Sequence, residues 1–282
     1  MVLLKNSMKT NNKKSIGVFD SGFGGLGILR GIVKEMPKYN YIYLGDTART
    51  PYGTRSAEVF YEFTKQAVDF LFAHNCRLII FACNTASSEA LRRIQQEYLP
   101  KKYPGKNVLG VLIPAVEEAI SKTKNNKVGV IATEGTVRSK TFALEIKKLA
   151  PKIKVSQKAC SLLVPIVEAG EQNSKALKII LKNYLEPLKK EKIDTLILGC
   201  THYGILEKEI KKIVGPKIKI ISEEKIVPKK LKDYLKRHPE IEKTLAKDKQ
   251  LHFYSTDLTD KFTTLGSQFF GRKIKAEKAE LG

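Results

Sequence analysis

Apolar residues in this chain fall into two patterns. Short unbroken runs, as in Ser15-Ile16-Gly17-Val18-Phe19, Tyr41-Ile42-Tyr43-Leu44 and Leu78-Ile79-Ile80-Phe81-Ala82, end in polar or glycine-rich turns. Such runs read as strands buried on both faces of a parallel sheet. Between them, apolar residues recur at helical spacing. Leu26, Leu29, Val33 and Met36 share one face until Pro37 stops the helix. By the same reading, further strands fall at 108–112, 127–132, 153–155, 195–199, 218–221 and around 251–254. Helices fall at 57–73, with Ser56 as its cap, and at 85–97, 115–122, 137–149, 174–190 and 203–214. Residues 160–170 (CSLLVPIVEAG) are too apolar for an idle loop. The alternation predicts an α/β protein of two doubly wound parallel-sheet domains related by pseudo-twofold symmetry, with the active site in the cleft between them. The first domain spans 15–113 and is completed by 223–282, the second spans 114–222, and residues 1–14 form a basic tail.

Two of the apolar runs end in a cysteine. Cys83 opens onto Asn84 and Thr85, and Cys200 onto Thr201 and His202. In open α/β sheets ligands bind beyond the carboxyl ends of the strands. Two thiols in matching topological positions therefore suggest a pair facing one site. Each precedes a helix start, whose dipole favours thiolate, so both thiols are expected to be lowered from about 8.5. His202 can tune or exchange the Cys200 proton. The other two cysteines, Cys76 and Cys160, read as inert core residues, and His74, His238 and His252 as surface or packing residues. Glu168 is an acid within an apolar stretch and needs a polar partner.

Composition narrows the classes. At 282 residues with 42% hydrophobic content the chain can bury a large core. Four cysteines without a CxxC pair argue against a zinc knuckle or a disulfide framework and suit a reducing cytoplasm. No apolar run reaches membrane-span length, and Val2-Leu3-Leu4 is too short for a signal peptide. The formal charge of +22 raises nucleic acid as a partner. The excess is mostly lysine spread over helix faces, without an arginine stripe, which favours a solvated surface. Gly22-Phe23-Gly24-Gly25-Leu26-Gly27 matches GxGxxG after a strand, with Asp46 downstream, and would make a nucleotide-dependent oxidoreductase an alternative. Asp20 stands where the pyrophosphate would lie and would repel it. The glycines are read instead as a tight turn with close helix packing.

Two opposed thiols can invert a carbon acid. One thiolate removes a proton from one face while the other thiol donates to the opposite face, with no redox step. An amino-acid α-proton is far less acidic than a thiol, so the cleft must exclude water and hold the carbanion with preorganised donors such as Asn84, Thr85, Thr201 and Ser21.

DSGFGGLG, YLGDTARTPYGTRS, FACNTASS, GVLIP, CSLLVPIVEAG and LGCTHYG, in this order, closely resemble the glutamate racemases of the aspartate/glutamate racemase superfamily. The resemblance covers nearly the whole chain from Ser15. It implies a cytoplasmic racemase that needs no cofactor and no metal and supplies D-glutamate for peptidoglycan. The cysteine matching Cys83 deprotonates D-glutamate and that matching Cys200 deprotonates L-glutamate. Asp20, Glu168 and His202 match auxiliary acid–base residues. Asp20, Ser21, Pro51, Tyr52, Gly53, Asn84, Thr85, Thr201 and His202 match substrate contacts, and Thr136 is expected among them. A homodimer is open as an assembly, and a related racemase acting on aspartate is the alternative. The chain departs from the pattern where Gly204 stands for the usual proline, and where Ile221-Ser222-Glu223-Glu224 replaces an Ile-Asp-Ser-like stretch.

Overall fold

The computed structural model describes residues 14–50, 52 and 55–282. The basic tail, except for Lys14, lies outside the described residues, as do Pro51 and Gly53. Among the described residues ten strands form two sheets: β1 (Ser15–Asp20), β2 (Tyr41–Gly45), β3 (Cys76–Phe81), β4 (Asn107–Gly110), β5 (Lys127–Ala132), β6 (Lys154–Ala159), β7 (Thr195–Gly199), β8 (Lys219–Ile221), β9 (Leu251–Ser255) and β10 (Glu277–Lys278). The larger sheet has the order β10-β9-β2-β1-β3-β4 and the smaller β6-β5-β7-β8, and all the neighbours are parallel.

The two sheets repeat one plan. The order β2-β1-β3-β4 in the first matches β6-β5-β7-β8 in the second, so β3 and β7 are equivalent strands. Each lies beside the first strand of its unit, paired Phe81 to Phe19 and Gly199 to Ala132. Cys83 and Cys200 follow these two strands. β9 and β10 belong to the first sheet, so the chain returns to its starting unit. The central strands are buried on both faces, with burial unbroken along β2 and β7. That is the packing that continuous apolar runs require.

Several boundaries differ from the sequence reading. β4 stops at Gly110 and the next helix begins at Leu112, not at 115. Pro114 falls in its first turn, where a missing N–H breaks no helical bond. The split read at Ile113 therefore falls within that turn. The helix expected over 137–149 is two, Glu134–Arg138 and Thr141–Leu149, separated by Lys140 with φ at 55°. β6 extends through Ser156, Gln157 and Lys158 because it is a half-exposed edge strand that tolerates polar residues. Ser56 occupies the cap position of Ala57–Ala73, but its side chain makes no cap hydrogen bond. Ser174 does cap Lys175–Lys190, accepting from the Leu177 N–H at 3.1 Å. The helix read over 203–214 begins as a tight turn, Thr201–Leu206, before Glu207–Val214.

Residues 160–170 hold the helix Leu163–Glu168. The return segment opens with the helix Glu223–Arg237, which packs along Gly25–Glu35. No helix among the described residues is long and apolar enough to cross a membrane.

Candidate active site

A cavity of about 470 Å³ is walled by both units. Ser21, Tyr52, Cys83, Asn84 and Thr85 come from the first, and Thr133, Glu134, Glu168, Cys200, Thr201 and His202 from the second. The two cysteines thus line one cavity from equivalent strand ends. A second cavity of about 280 Å³, with Leu91, Arg92 and Arg237 in its wall, reaches neither thiol.

The turn after β1 fits against the site rather than against a nucleotide. The Gly22 N–H donates to Asp20 Oδ2 at 3.1 Å. A Cβ on Gly24 would overlap Thr201, and one on Gly27 would overlap the Glu224 carboxylate. The space left by these missing side chains is filled by protein, so the glycines serve close packing.

Around Cys83, the Ser21 hydroxyl lies 3.2 Å from the sulfur. Burial pushes the Cys83 thiol up to about 11, with the Asp20 carboxylate adding to it and the Ser21 and Ala86 hydrogen bonds opposing. Cys200 is likewise raised well above the ordinary thiol value, chiefly by burial. The expected lowering is therefore overturned. The donors at each helix start act in that direction, but loss of water outweighs them. Cys76 and Cys160 are also pushed up by burial, each to about 12, as inert core thiols should be.

Around Cys200, His202 Nδ1 lies 3.9 Å from the sulfur and Nε2 lies 3.2 Å from Glu168 Oε1. Glu168 Oε2 meets Lys261 at 3.5 Å. Burial alone would raise Glu168, but His202 and Lys261 together hold it below the usual carboxylate range. Asp20, expected as a substrate contact, is fully buried and does not line the cavity; Thr201 Oγ1 donates to its Oδ1 at 3.4 Å. Burial raises its carboxyl, against the His202 charge and the Gly25, Gly22 and Thr201 hydrogen bonds.

The remaining sequence-predicted residues divide. Thr85 lines the cavity and its Oγ1 lies 3.0 Å from Thr133 Oγ1 across the two units. Thr136 is fully buried behind the wall, 3.4 Å from the Thr85 hydroxyl. Tyr52 lines the cavity and donates its hydroxyl to Asp46, which Arg49 also holds at 2.7 Å. His74 bonds the Phe70 carbonyl at 2.8 Å, and His238 pairs with Glu240 at 3.1 Å, both away from the cavity. Sequence reasoning missed Thr133, Glu134 and Lys261, and also Glu223, which accepts from Asn84 Nδ2 at 2.7 Å. Thr133 and Glu134 follow β5 as Ser21 and Gly22 follow β1, so the internal repeat is the signal that points to them.

Two thiols at equivalent strand ends of a duplicated α/β fold line one cavity, an arrangement that fits an enzyme site between two units. The Asp/Glu/hydantoin racemase family matches residues 16–225, and the chain belongs to that family. It is an isomerase, an amino-acid racemase. The glutamate racemase of Enterococcus faecalis is 39% identical over 277 residues, covering 96% of this chain and 98% of that protein. The crystal structure of the Bacillus anthracis isoform RacE1 has a TM-score of 0.87 at 34% identity, covering 95% of this chain and 98% of that one. The Francisella tularensis glutamate racemase, solved in complex with D-glutamate, has a TM-score of 0.86 at 35% identity, covering 96% and 98%.

Proposed function

We propose that this chain interconverts L- and D-glutamate without a cofactor and supplies D-glutamate for peptidoglycan in the cytoplasm. The observation that carries this reading is that Cys83 and Cys200 line one cavity from equivalent strand ends. In the L-to-D direction, the Cys200 thiolate takes the α-proton, and the electron pair stays on the α-carbon and its carboxylate. The Cys83 thiol then delivers its proton to the opposite face. The product leaves Cys200 as a thiol and Cys83 as a thiolate, ready for the reverse reaction, and no electrons are gained or lost. Proton exchange with solvent resets the pair for another forward turn.

Auxiliary groups set these protonation states. His202 stands within reach of Cys200, and Glu168 orients its ring. The Asp20 charge adds to the rise that burial imposes on the Cys83 thiol. Ser21, Thr85 and Thr201 donate to the substrate carboxylates and the developing carbanion, and Asn84 contacts the substrate beside them. The same reading keeps Tyr52 and Thr136 among the residues that shape the substrate site. It divides the chain into 15–113 with 223–282, and 114–222.

Aspartate as substrate has weaker support, because the relatives named above are glutamate racemases. The test is direct. Purified protein in chelator, without added cofactor, is mixed with L-glutamate, and loss of optical activity is followed. Racemisation to zero rotation is expected. Absolute dependence on pyridoxal phosphate, or turnover of aspartate alone, would defeat the proposal.

A further inference from the structure

Glu223 begins the helix that returns the chain to its first unit, and it is fully enclosed. Its Oε2 accepts from Asn84 Nδ2 at 2.7 Å, across 139 positions of sequence. Asn84 directly follows Cys83 and lines the cavity. Two buried atoms of this pair have no partner among the described residues: Glu223 Oε1 and Asn84 Oδ1. A buried acceptor left open is costly unless a ligand completes it.

We propose that Glu223 is a positioning residue, holding the Asn84 amide by its NH2 group so that Oδ1 is left to accept from the α-ammonium of the substrate. The inference rests on the reading of this cavity as a glutamate site. Glutamate carries acceptors on both carboxylates and donors only on its ammonium. An open amide oxygen therefore matches one group of that molecule. Burial keeps Glu223 well above the usual carboxyl range, opposed by its Asn84 bond. Nothing in the mechanism above uses Glu223, and in the sequence it falls in the Ser222-Glu223-Glu224 departure from the family pattern.

The experiment measures dissociation constants by calorimetry for L-glutamate and for glutarate, which keeps both carboxylates but lacks the ammonium. The variants are Glu223→Ala, Glu223→Leu, Glu223→Gln and Asn84→Ala. Glu223→Leu fills the vacated space should the alanine variant fold poorly. Loss of the orienting bond should weaken L-glutamate about tenfold and leave glutarate within about twofold. Glu223→Gln keeps an acceptor for Asn84 and should restore L-glutamate binding. Equal weakening of both ligands, or no weakening of either, would overturn the proposal, as would a glutamine variant as impaired as the leucine one. An Asn84→Ala variant that binds L-glutamate normally would also overturn it. Failure of the functional reading is separately visible, since the unaltered chain would then neither bind nor racemise glutamate.

Discussion

The Cys83 sulfur lies 3.2 Å from the Ser21 hydroxyl, which ties the thiol beyond β3 to the turn beyond β1. Ser21 opposes the rise that burial imposes on this thiol. Ser21→Ala should therefore raise the Cys83 pKa further and slow proton transfer. Because the two enantiomers are equally stable, kcat/KM must fall equally in both directions, by about tenfold for one lost hydrogen bond to the ionised form. Initial rates from each enantiomer check this. An unchanged kcat/KM would remove Ser21 from the catalytic path.

The raised thiols fix the sign of the pH dependence. Only the thiolate is a base, and below its pKa the thiolate fraction grows tenfold per pH unit. Cys83 stands at about 11, and Cys200 is well above the ordinary value, so both rest as thiols near neutrality. The partner that must donate is then already protonated. kcat/KM should rise with pH between about 6 and 8, in both directions, because base ionisation limits the rate there. A profile flat over that window would mean that one thiol is ionised in the free enzyme, and would show burial to be less decisive than the structure makes it.

The parts legible in sequence were those with local causes. Unbroken apolar runs marked the central strands, and a cysteine at the end of two of them marked the candidate site, because strand ends face the ligand side of such sheets. Polar β6 was under-read because an edge strand need not be apolar. The start at Leu112 was lost because Ile113 and Pro114 prolong an apolar run that fits strand or helix equally. Lys261 and Glu223 were invisible for another reason. Their partners, Glu168 and Asn84, lie 93 and 139 positions away. The thiol pKa values were misjudged because depth of burial is a property of the assembled cleft. A helix start can be read in sequence, but its weight against desolvation cannot.

Two departures from the family pattern meet in space. A Cβ on Gly204 would overlap Glu224 Oε1, while Glu224 Oε2 holds Arg30 at 2.9 Å. Gly204 therefore makes room for Glu224 between the Cys200 turn and the Gly25–Glu35 helix. Gly204→Ala should push the Glu224 carboxylate off Arg30 and destabilise the fold by about 1 kcal/mol or less, since the crowded atoms end a flexible side chain. Glu224→Ala in the same chain should recover most of that loss. Urea unfolding of the two single variants and the double variant gives the coupling. Additive losses would show that the two departures are independent.

The division of labour between Cys83 and Cys200 gives the sharpest test. Inversion needs a base on one face and an acid on the other, and in the proposed mechanism each thiol serves one face. Cys83→Ala leaves Cys200 able to deprotonate L-glutamate but removes the donor opposite. Cys200→Ala leaves Cys83 able to deprotonate D-glutamate, with the same consequence. Each variant should lose racemisation by a factor on the order of 100 or more, as expected for a missing acid–base group. The double variant should be little worse than either, because the pair acts as one unit. Exchange of the α-proton in deuterated water separates the faces. With Cys83→Ala, residual exchange should favour L-glutamate with retention, and with Cys200→Ala it should favour D-glutamate with retention. Proton NMR of each enantiomer follows this directly. A variant that racemised near the unaltered rate would end the two-thiol mechanism. Exchange of the opposite handedness would keep the mechanism and reverse which thiol serves which face.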